Sequence, residues 1–429
     1  MMRLGFSMLV CLTVSVGAAE LKWYKGNTHT HSLWSDGNDF PDRITAWYAA
    51  RGYHFLSMTD HNVLSRGERW MAEKDIEKRR KALGRKVLEK YRDEFGPDWV
   101  ETREGADGGV EVRLKPLAEY RGRFEKPGEF LLIEGEEVTA GKGQPPVHLN
   151  AINLTEAITP TPDLTTVREV LRANLQRVAE AREAGGKPVM AHVNHPNFRW
   201  TITAEDLAQA LDARFFEVHN GHPGTFTEGD AKRAESATGR IWDIANTLRI
   251  AEFKAAPIYG VGTDDSHNYH GGDVSPGKSW VMVRAAELTP EALIRAMEAG
   301  DFYASSGVTL REVSFDEATG RLRLEIDAKP GVSYTTRFFG TRRGYDRAVT
   351  EVAPPEGDFA TTRLRYSDEV GAELGRSDSL TPEYVLTGDE LFVRAVVTAD
   401  EAPENPSWQG QRAQAWTQPV GWKKALPGN

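Results

Sequence analysis

The sequence predicts an α/β protein in which a barrel-sized region is followed by a smaller β-rich region. From residue 22 to about residue 309, short apolar segments typical of buried strands alternate with segments of helical composition. All eleven histidines lie between His29 and His270. The last third of the chain has none, and its short alternating strands are separated by Gly, Pro and Asp turns. We therefore place a catalytic domain at residues 20–309 and a small, sandwich-like all-β domain at residues 310–429.

The first nineteen residues have the pattern of a secretory signal peptide. Arg3 precedes an apolar run from Leu4 to Val16, and the small residues Gly17–Ala19 follow. The run is too short for a permanent bilayer-spanning helix, and the alternative is a buried N-terminal helix. The one cysteine, Cys11, lies in this segment, so the mature chain would have neither a disulfide nor thiolate chemistry. We expect export to a bacterial periplasm or beyond, and no membrane span.

Composition and charge exclude some classes of function. With 429 residues, of which 40% are hydrophobic and 27% charged, the chain is long enough for a large domain and a smaller one. A net charge of −10 argues against a general nucleic-acid-binding surface, since phosphate backbones are bound by clustered Lys and Arg. A small phosphorylated substrate stays compatible with this charge, because metal ions would reverse the local field.

The segment from Asn27 to Gly37 offers the first candidate metal ligands. His29 and His31 stand two residues apart, a spacing that sends both imidazoles to one face of an extended strand. Asp36 follows after a short turn, so two nitrogen donors and a carboxylate converge on one point. These donors suit zinc, iron or manganese. Taken alone, the pair is equally compatible with two surface histidines that bind nothing.

Residues of the same kind close other predicted strands farther along the chain. In alternating strand and helix architectures, the carboxyl ends of the strands face the active site. Six predicted strands end, or in one case begin, with His, Asp or Glu, a regularity that unrelated structural histidines would rarely show. Beyond the first segment, these residues are Asp60, His61, Glu136, Glu137, His148, His192, His195, His219, Asp264, Asp265 and His267. We therefore predict a metal-binding site at this end of the strands.

Five motifs in this order resemble a known family. They are His29-Thr-His31 with Asp36, Thr59-Asp60-His61, Gly135-Glu136-Glu137 followed by His148, His195-Pro196, and Asp265-Ser-His267. Together they resemble the PHP superfamily, the polymerase and histidinol phosphatase type of metallohydrolase. The signal peptide, a charged insertion at about residues 65–128, the form of the third motif and residues 302–307 are similar to its carbaryl-hydrolase-like branch. The resemblance covers roughly residues 22–308.

The resemblance implies a distorted (β/α)7 barrel of the PHP type that holds two or three divalent cations, zinc, manganese or iron. One cation would take His29, His31 and Asp265, and Glu137 would bridge it to a second cation on His148 and His195. A third cation would take Asp36, His61 and His267. Supporting residues or alternative ligands are Asp60, Glu136, His192, His219 and Asp264, with His192 the alternative to His195.

The implied chemistry is hydrolysis by metal-activated water with no protein nucleophile. We find neither a Gly-x-Ser-x-Gly elbow nor a nucleotide-binding loop in a suitable context, which agrees with this interpretation. Phosphoesters are the favoured small-molecule substrates, and carboxyl esters or carbamates are the alternative that the branch resemblance suggests. The remaining alternative is a secreted metal-binding protein with a degenerate site, although every expected motif is filled.

The charged insertion and a few side chains near the motifs offer weaker signals. Residues 66–95 have helical spacing and residues 100–114 alternate like a hairpin, and this region is either a solvated face or a lid. Arg199 and Lys278 stand near motifs and are candidates for a phosphate contact. Aromatic residues that flank the motifs could form an apolar substrate wall or could be packing, namely Trp34, Phe198, Trp200 and Tyr269.

Overall fold

The computed structural model describes residues 20–79, 84–230, 236–353 and 362–427. The predicted signal peptide, residues 1–19, lies outside the described residues. Up to residue 309 the elements are β1 (Lys22–Asn27), α1 (Pro41–Ala49), β2 (Phe55–Met58), β3 (Arg69–Ala72), α2 (Glu73–Arg79), α3 (Val87–Phe95), β4 (Thr102–Glu104), β5 (Val110–Leu114), α4 (Leu117–Phe124), β6 (Leu131–Thr139), β7 (His148–Ile152), α5 (Val167–Gly185), β8 (Met190–Val193), α6 (Ala204–Gln209), β9 (Phe215–Asn220), α7 (Thr238–Ala251), β10 (Tyr259–Thr263), β11 (Trp280–Ala285), α8 (Pro290–Ala299) and β12 (Phe302–Ser305).

From residue 310 onward the described elements are strands, with one short 3-10 turn at Trp422–Ala425. They are β13 (Leu310–Asp316), β14 (Arg321–Ile326), β15 (Tyr334–Arg342), β16 (Val349–Val352), β17 (Arg363–Tyr366), β18 (Ala372–Ser377), β19 (Glu383–Val385), β20 (Glu390–Ala399) and β21 (Gln414–Thr417). The change to a β-rich composition near residue 310 therefore agrees with the sequence pattern. None of the described helices is long and apolar enough to cross a membrane.

One large sheet organises the molecule. Its thirteen strands lie in the order β10-β9-β8-β7-β6-β2-β1-β11-β12-β21-β20-β15-β18. Strands β1, β2, β6, β8, β9 and β10 run in one direction, and β7 lies antiparallel between β6 and β8. Because β7 is reversed, it begins at the edge where its neighbours end. This reversal explains why His148, at the start of a strand, lies beside residues that close other strands.

The hydrogen-bonded sheet does not close on itself within the described residues. Strand β10 forms a ladder with β9 alone, and β12 pairs instead with β21. A Cβ at Gly262 would lie 2.5 Å from the Ser279 Oγ and 2.9 Å from the Trp280 carbonyl oxygen, so β10 approaches the start of β11 without pairing. The C-terminal strands continue the large sheet through β21, so a closed barrel and a separate sandwich stay predictions.

The helices follow ordinary signals and cover the sheet. Helix α5 begins at a capping box in which Thr166 and Glu169 bond reciprocally, and it ends at Gly186 in the left-handed conformation. Its buried positions recur every three or four residues, at Val167, Val170, Leu171, Asn174, Leu175 and Val178. Helix α8 begins with the Thr289 cap and Pro290 and ends at Gly300. These helices hold the strands, and therefore the strand ends, in place.

The charged insertion is partly different from the prediction. Strands β4 and β5 form the predicted hairpin around residues 105–109. Residues 69–72, predicted as helical, instead form β3, which pairs antiparallel with β5. Four residues, Arg69-Trp70-Met71-Ala72, are too few for periodicity to distinguish a strand from a helix, and pairing with β5 selects the strand.

Candidate metal centre

The ends of β1 and β10 bring His29, His31 and Asp265 into contact. The Nε2 atoms of the two histidines lie 3.1 Å apart. Asp265 places its Oδ1 atom 3.2 Å from the His29 Nε2 and 3.3 Å from the His31 Nε2. All three side chains are buried, and their donor atoms can reach one cation. This is the group that the motifs assign to the first cation.

Glu137, at the end of β6, occupies the middle of the cluster. Its Oε1 atom lies 3.4 Å from the His29 Nε2 and 3.1 Å from the His148 Nδ1. Its Oε2 atom lies 3.4 Å from the His31 Nε2 and 2.8 Å from the His61 Nδ1. The carboxylate therefore presents one oxygen to each of two groups of imidazoles. This arrangement suits a carboxylate that bridges two cations.

A third group lies toward solvent. The Asp36 Oδ1 atom is 3.3 Å from the His267 Nε2, and its Oδ2 atom is 3.5 Å from the His61 Nε2. Together with His31, these residues form a set of donor atoms that can reach one cation. Whereas His29 and His31 are fully buried, the side chain of Asp36 is 55% exposed and that of His61 is 26% exposed. The centre is thus closed at its base and open on the side of Asp36.

The two alternative histidines of β8 and its following loop take different positions. The His195 Nε2 atom lies 3.5 Å from the Glu137 Oε1 and faces the cluster. The His192 Nε2 atom is 3.1 Å from the Thr28 hydroxyl, and its ring is 6.2 Å from that of His29 between centroids. The His192 Nδ1 atom instead approaches Glu217, whose Oε1 atom lies 3.9 Å away. His195 therefore lies nearer to Glu137 than His192 does, although neither histidine belongs to a group of described donor atoms that can reach one cation.

Glu217, in the middle of β9, is a buried carboxylate beside the cluster that the sequence reasoning did not assign. Its Oε1 atom accepts a hydrogen bond from the His29 Nδ1 at 2.6 Å, and its Oε2 atom accepts one from the His195 backbone N–H at 2.7 Å. A proton on the His29 Nδ1 leaves the lone pair of its Nε2 aimed at the cluster. The run Phe215-Phe216-Glu217-Val218 contained the signal, because a carboxylate in an apolar strand needs a buried partner.

Two asparagines also support the carboxylates. The Asn194 side chain donates to the Glu137 Oε1 at 2.7 Å. The Asn220 side chain donates to the Asp265 Oδ2 at 3.1 Å and to the Glu217 Oε2 at 2.7 Å. The carboxylates of Glu137, Asp265 and Glu217 are therefore held in fixed orientations. Sequence reasoning passed over both amides, because Asn gives no signal of its own at the end of a strand.

The two aspartates left outside the ligand set act on loops. Asp60 accepts hydrogen bonds from the Ser32 N–H, the Ser32 hydroxyl and the Ser35 hydroxyl, at 2.6–2.8 Å, and so holds the turn that leads to Asp36. Asp264 accepts bonds from the backbone N–H groups of residues 277–279 and from the Tyr48 hydroxyl. In the part of the chain that the structure describes, neither carboxylate belongs to a group of donor atoms that can reach one cation.

Glu136 and His219 lie apart from the cluster. Glu136 lies on the opposite face of β6 from Glu137, and there its Oε1 atom accepts a hydrogen bond from the Ile158 N–H. The His219 Nε2 atom contacts the Gln411 side-chain nitrogen at 2.9 Å, and its ring stacks against Trp408. Within the described residues, neither belongs to a group of donor atoms that can reach one cation, and both are buried in the packing around the strands.

The charges of the cluster depend on one another. Burial disfavours protonation of His29, but Asp265 and Glu217 outweigh it and raise its pKa well above the usual value. Burial likewise opposes ionisation of Glu137, yet the neighbouring imidazoles, His61 foremost, hold its pKa well below the usual value. The pKa of His61 is raised to about 11, because Glu137 and Asp36 outweigh its burial. The carboxylates are therefore ionised and need positive charge around them.

Divalent cations fit this donor set. The His29 and His31 Nε2 atoms, 3.1 Å apart, cannot both carry a proton toward each other without a clash of the two hydrogens. Two buried carboxylates, Glu137 and Asp265, face the same point. A cation between these atoms would satisfy the nitrogen lone pairs and both anions together. The mixture of imidazole and carboxylate suits zinc, manganese or iron.

Backbone conformation near the centre is unusual. His195 and Asp265 have positive φ angles of 23° and 48°, and Asn62, next to His61, has a φ of 51°. Residues other than Gly seldom adopt positive φ angles, and each such residue adds backbone strain on the order of 1–3 kcal/mol. Strain of this kind is retained at functional sites, where it directs side chains that a relaxed backbone would turn away.

Two arginines of the insertion hold the loop that carries Asp36. The Arg79 guanidinium donates to the backbone carbonyls of Ser35 and Gly37, which flank Asp36. The Arg69 guanidinium donates to the Trp34 carbonyl. This part of the insertion is therefore joined to the centre and brings positive charge to its open side.

The two basic residues that stand near motifs differ in their position. Lys278 directs its ammonium to the Pro406 carbonyl, 2.7 Å away. Arg199 is exposed, and it follows Phe198, whose ring lies 5.1 Å from that of His195 between centroids. Arg199 therefore remains a candidate for a phosphate contact, whereas the ammonium of Lys278 already has a partner.

No model of a protein family matches this chain, and no curated protein matches it either. One solved structure is similar over 96% of this chain and 100% of its own, with 15% sequence identity and a TM-score of 0.39. It is described as a two-domain protein from Bacteroides vulgatus containing a predicted PHP-like metal-dependent phosphoesterase. At that TM-score the likeness establishes neither the fold nor the activity of this chain.

Proposed function

We propose that this chain is a secreted, metal-dependent hydrolase that acts on phosphoesters of small molecules. The observation that supports this most strongly is the shape of the donor cluster. Adjoining groups of donor atoms share His31 and His61, Glu137 lies between them, and the cluster opens to solvent beside Asp36. Structural metal sites are closed, whereas catalytic sites keep a side open for water and substrate.

The proposed ligand set is the one that the motifs imply. His29, His31 and Asp265 would hold one cation, and Glu137 would bridge it to another on His148 and His195. Asp36, His61 and His267 would hold a third at the open side. Bound to such ligands, divalent cations activate water near neutral pH, polarise the substrate oxygen and stabilise developing negative charge.

The side chains around the ligands would then fix the geometry. Glu217 keeps the proton of His29 on Nδ1 and so keeps Nε2 available as a donor atom. Asn194 and Asn220 hold the two buried carboxylates in place. Hydrolysis by metal-activated water needs no nucleophilic Ser or Cys.

Phosphoesters are favoured over other esters for two reasons. The groups of donor atoms are contiguous, so that one phosphate could contact neighbouring cations through different oxygens. Arg79 adds positive charge beside the open side, and exposed Arg199 stands next to Phe198 at the edge of the cluster. Carboxyl esters or carbamates are the second candidate, and they are suggested by the similarity of the third motif and residues 302–307 to the carbaryl-hydrolase-like branch.

A substrate screen tests the proposal. The mature protein, loaded separately with Zn²⁺, Mn²⁺ or Fe²⁺, would be assayed on p-nitrophenyl phosphate, bis(p-nitrophenyl) phosphate, p-nitrophenyl acetate and an aryl N-methylcarbamate. We expect turnover of a phosphate ester that a chelator abolishes and a specific ion restores. The variant His54→Gln is a matched control for the loss of a histidine. His54 precedes β2, at the end away from His61, and accepts a hydrogen bond from the Lys25 N–H.

Each other result would reject the proposal in a definite way. Metal-dependent turnover of the acetate or the carbamate, with none of the phosphates, would select the second candidate. Stoichiometric metal binding without turnover of any ester would select the metal-binding protein with a degenerate site. Turnover that survives complete removal of metal would contradict the metal-dependent mechanism itself.

A further inference from the structure

One cavity lies away from the metal centre. It has a volume of about 490 Å³ and lies between the end of α1, strand β1, the start of β11 and the loop at residues 403–405. The residues that line it include none of the predicted metal ligands. It is large enough for a small organic molecule.

Two basic side chains in this cavity lie on aromatic faces. The Lys25 ammonium lies 4.0 Å from the centroid of the Tyr53 ring and 3.9 Å from that of the Trp280 ring. The Arg51 guanidinium lies 4.2 Å from the centroid of the Trp47 ring. Within the part of the chain that the structure describes, neither cation has a carboxylate within 4.0 Å. Aromatic faces stabilise a cation but leave its charge uncompensated.

The pKa of Lys25 is consistent with an ammonium group that lacks a directly bound anion. Burial lowers its pKa to about 8, although the more distant Asp264 and Glu404 act in the opposite direction. The ammonium is therefore still mostly protonated at neutral pH, despite being partly removed from water. A group in this state gains from an anion that it can contact directly.

The charge balance of the wall selects the charge of the ligand. Lys329 is paired with Glu401 at 2.6 Å, so it contributes little net charge. Among the other charged residues of the wall, Lys25 and Arg51 outnumber Glu404 by one, in a chain whose overall charge is −10. Asp264 also acts on Lys25, but it lies outside the wall, and its oxygens accept hydrogen bonds from the N–H groups of residues 277–279 and from the Tyr48 hydroxyl. One negative charge balances this wall, whereas a dianion would be repelled by Glu404. Pro276 and Pro403, together with the edges of the aromatic rings, offer apolar surface for the rest of the molecule.

We propose that this cavity binds an organic monocarboxylate with an apolar body, with the carboxylate on Lys25 and Arg51 and the body against Trp47 and Trp280. The site is separate from the metal centre and does not depend on the reaction proposed for it. Its loop at residues 277–279 is held by Asp264, the neighbour of Asp265, so the two sites share a structural element.

Calorimetric titration with benzoate tests this proposal on the full, metal-loaded protein. We expect saturable binding with a Kd in the millimolar range or tighter, as the size of the molecule allows. Acetate lacks the apolar body and benzyl alcohol lacks the charge, so each should bind at least about tenfold more weakly. Lys25→Met should weaken benzoate at least about tenfold, because it removes a charged hydrogen bond. Lys22→Met, an exposed lysine on the same strand, should leave binding unchanged.

Further variants keep the test decisive. Arg51→Gln, at an exposed position just beyond the end of α1, should also weaken benzoate and would serve if Lys25→Met failed to fold. Because benzoate could also bind cations, Glu137→Gln is included, and it should leave the affinity unchanged. Binding that is lost in Glu137→Gln, binding that survives both Lys25→Met and Arg51→Gln, or no saturable heat up to ~10 mM benzoate would each overturn the proposal. Hydrolysis by the Lys25 variant should equal that of wild type.

Discussion

Glu137→Gln should abolish metal-dependent hydrolysis, with a loss of at least about 1,000-fold in kcat/KM. Both oxygens of this carboxylate are in use, one facing His29 and His148 and the other facing His31 and His61. An amide keeps the shape but removes the negative charge, and its NH₂ group turns two donor hydrogens toward the imidazoles. We expect metal content to fall in parallel, which elemental analysis of the purified variant would measure.

Glu136→Gln is the matched control for this change. It makes the same substitution one residue earlier, on the face of β6 that packs against Ile158. Activity and metal content should stay within about twofold of wild type, since no donor atom of the cluster is altered. If Glu136→Gln were inactive and Glu137→Gln active, the assignment of the two neighbours would be reversed.

Glu217→Gln should weaken metal binding by about 10- to 100-fold while leaving every proposed ligand in place. The native carboxylate accepts bonds from the His29 Nδ1, the His195 backbone N–H and the Asn220 side chain. The new NH₂ group would meet one of these donors and disturb the orientation of the rings. Reactivation of chelator-treated enzyme by graded metal should therefore require a higher metal concentration, with kcat at saturating metal largely recovered.

Glu390→Gln is a suitable control for the loss of a buried carboxylate. Glu390 is 3% exposed and accepts bonds from Tyr384 and Thr387, far along the chain from the centre. Its change should lower stability without moving the metal requirement. A Glu217→Gln variant with the metal requirement of wild type would show that Glu217 only fills space, which would contradict the role given to it.

Much of the centre could be predicted because strand direction has a simple consequence. A residue that closes a parallel strand lies at the same edge as its neighbours, and His29, His61 and Asp265 could be placed together on that ground. His148 starts its strand and still belongs to the group, because β7 runs antiparallel. The His-x-His spacing further indicated that both imidazoles share a face.

Other features depend on contacts that no local pattern records. Glu217 is in the interior of a strand, and only its buried position shows that it must pair with His29 and His195. Strand β21 is four residues long, and its pairing with β12 joins segments more than a hundred residues apart. The Arg79 bonds to the loop of Asp36 likewise link the insertion to the centre across the sequence.

The most direct test of the metal centre is elemental analysis of the mature protein purified with Zn²⁺, Mn²⁺ or Fe²⁺ present. Wild type and His54→Gln should each retain two or three equivalents of one divalent metal per chain after dialysis. His29→Ala should retain fewer equivalents, because it removes the Nε2 atom that faces both Asp265 and Glu137. Absence of stoichiometric metal from wild type, or equal metal in wild type and His29→Ala, would contradict the assignment of this cluster as a metal centre.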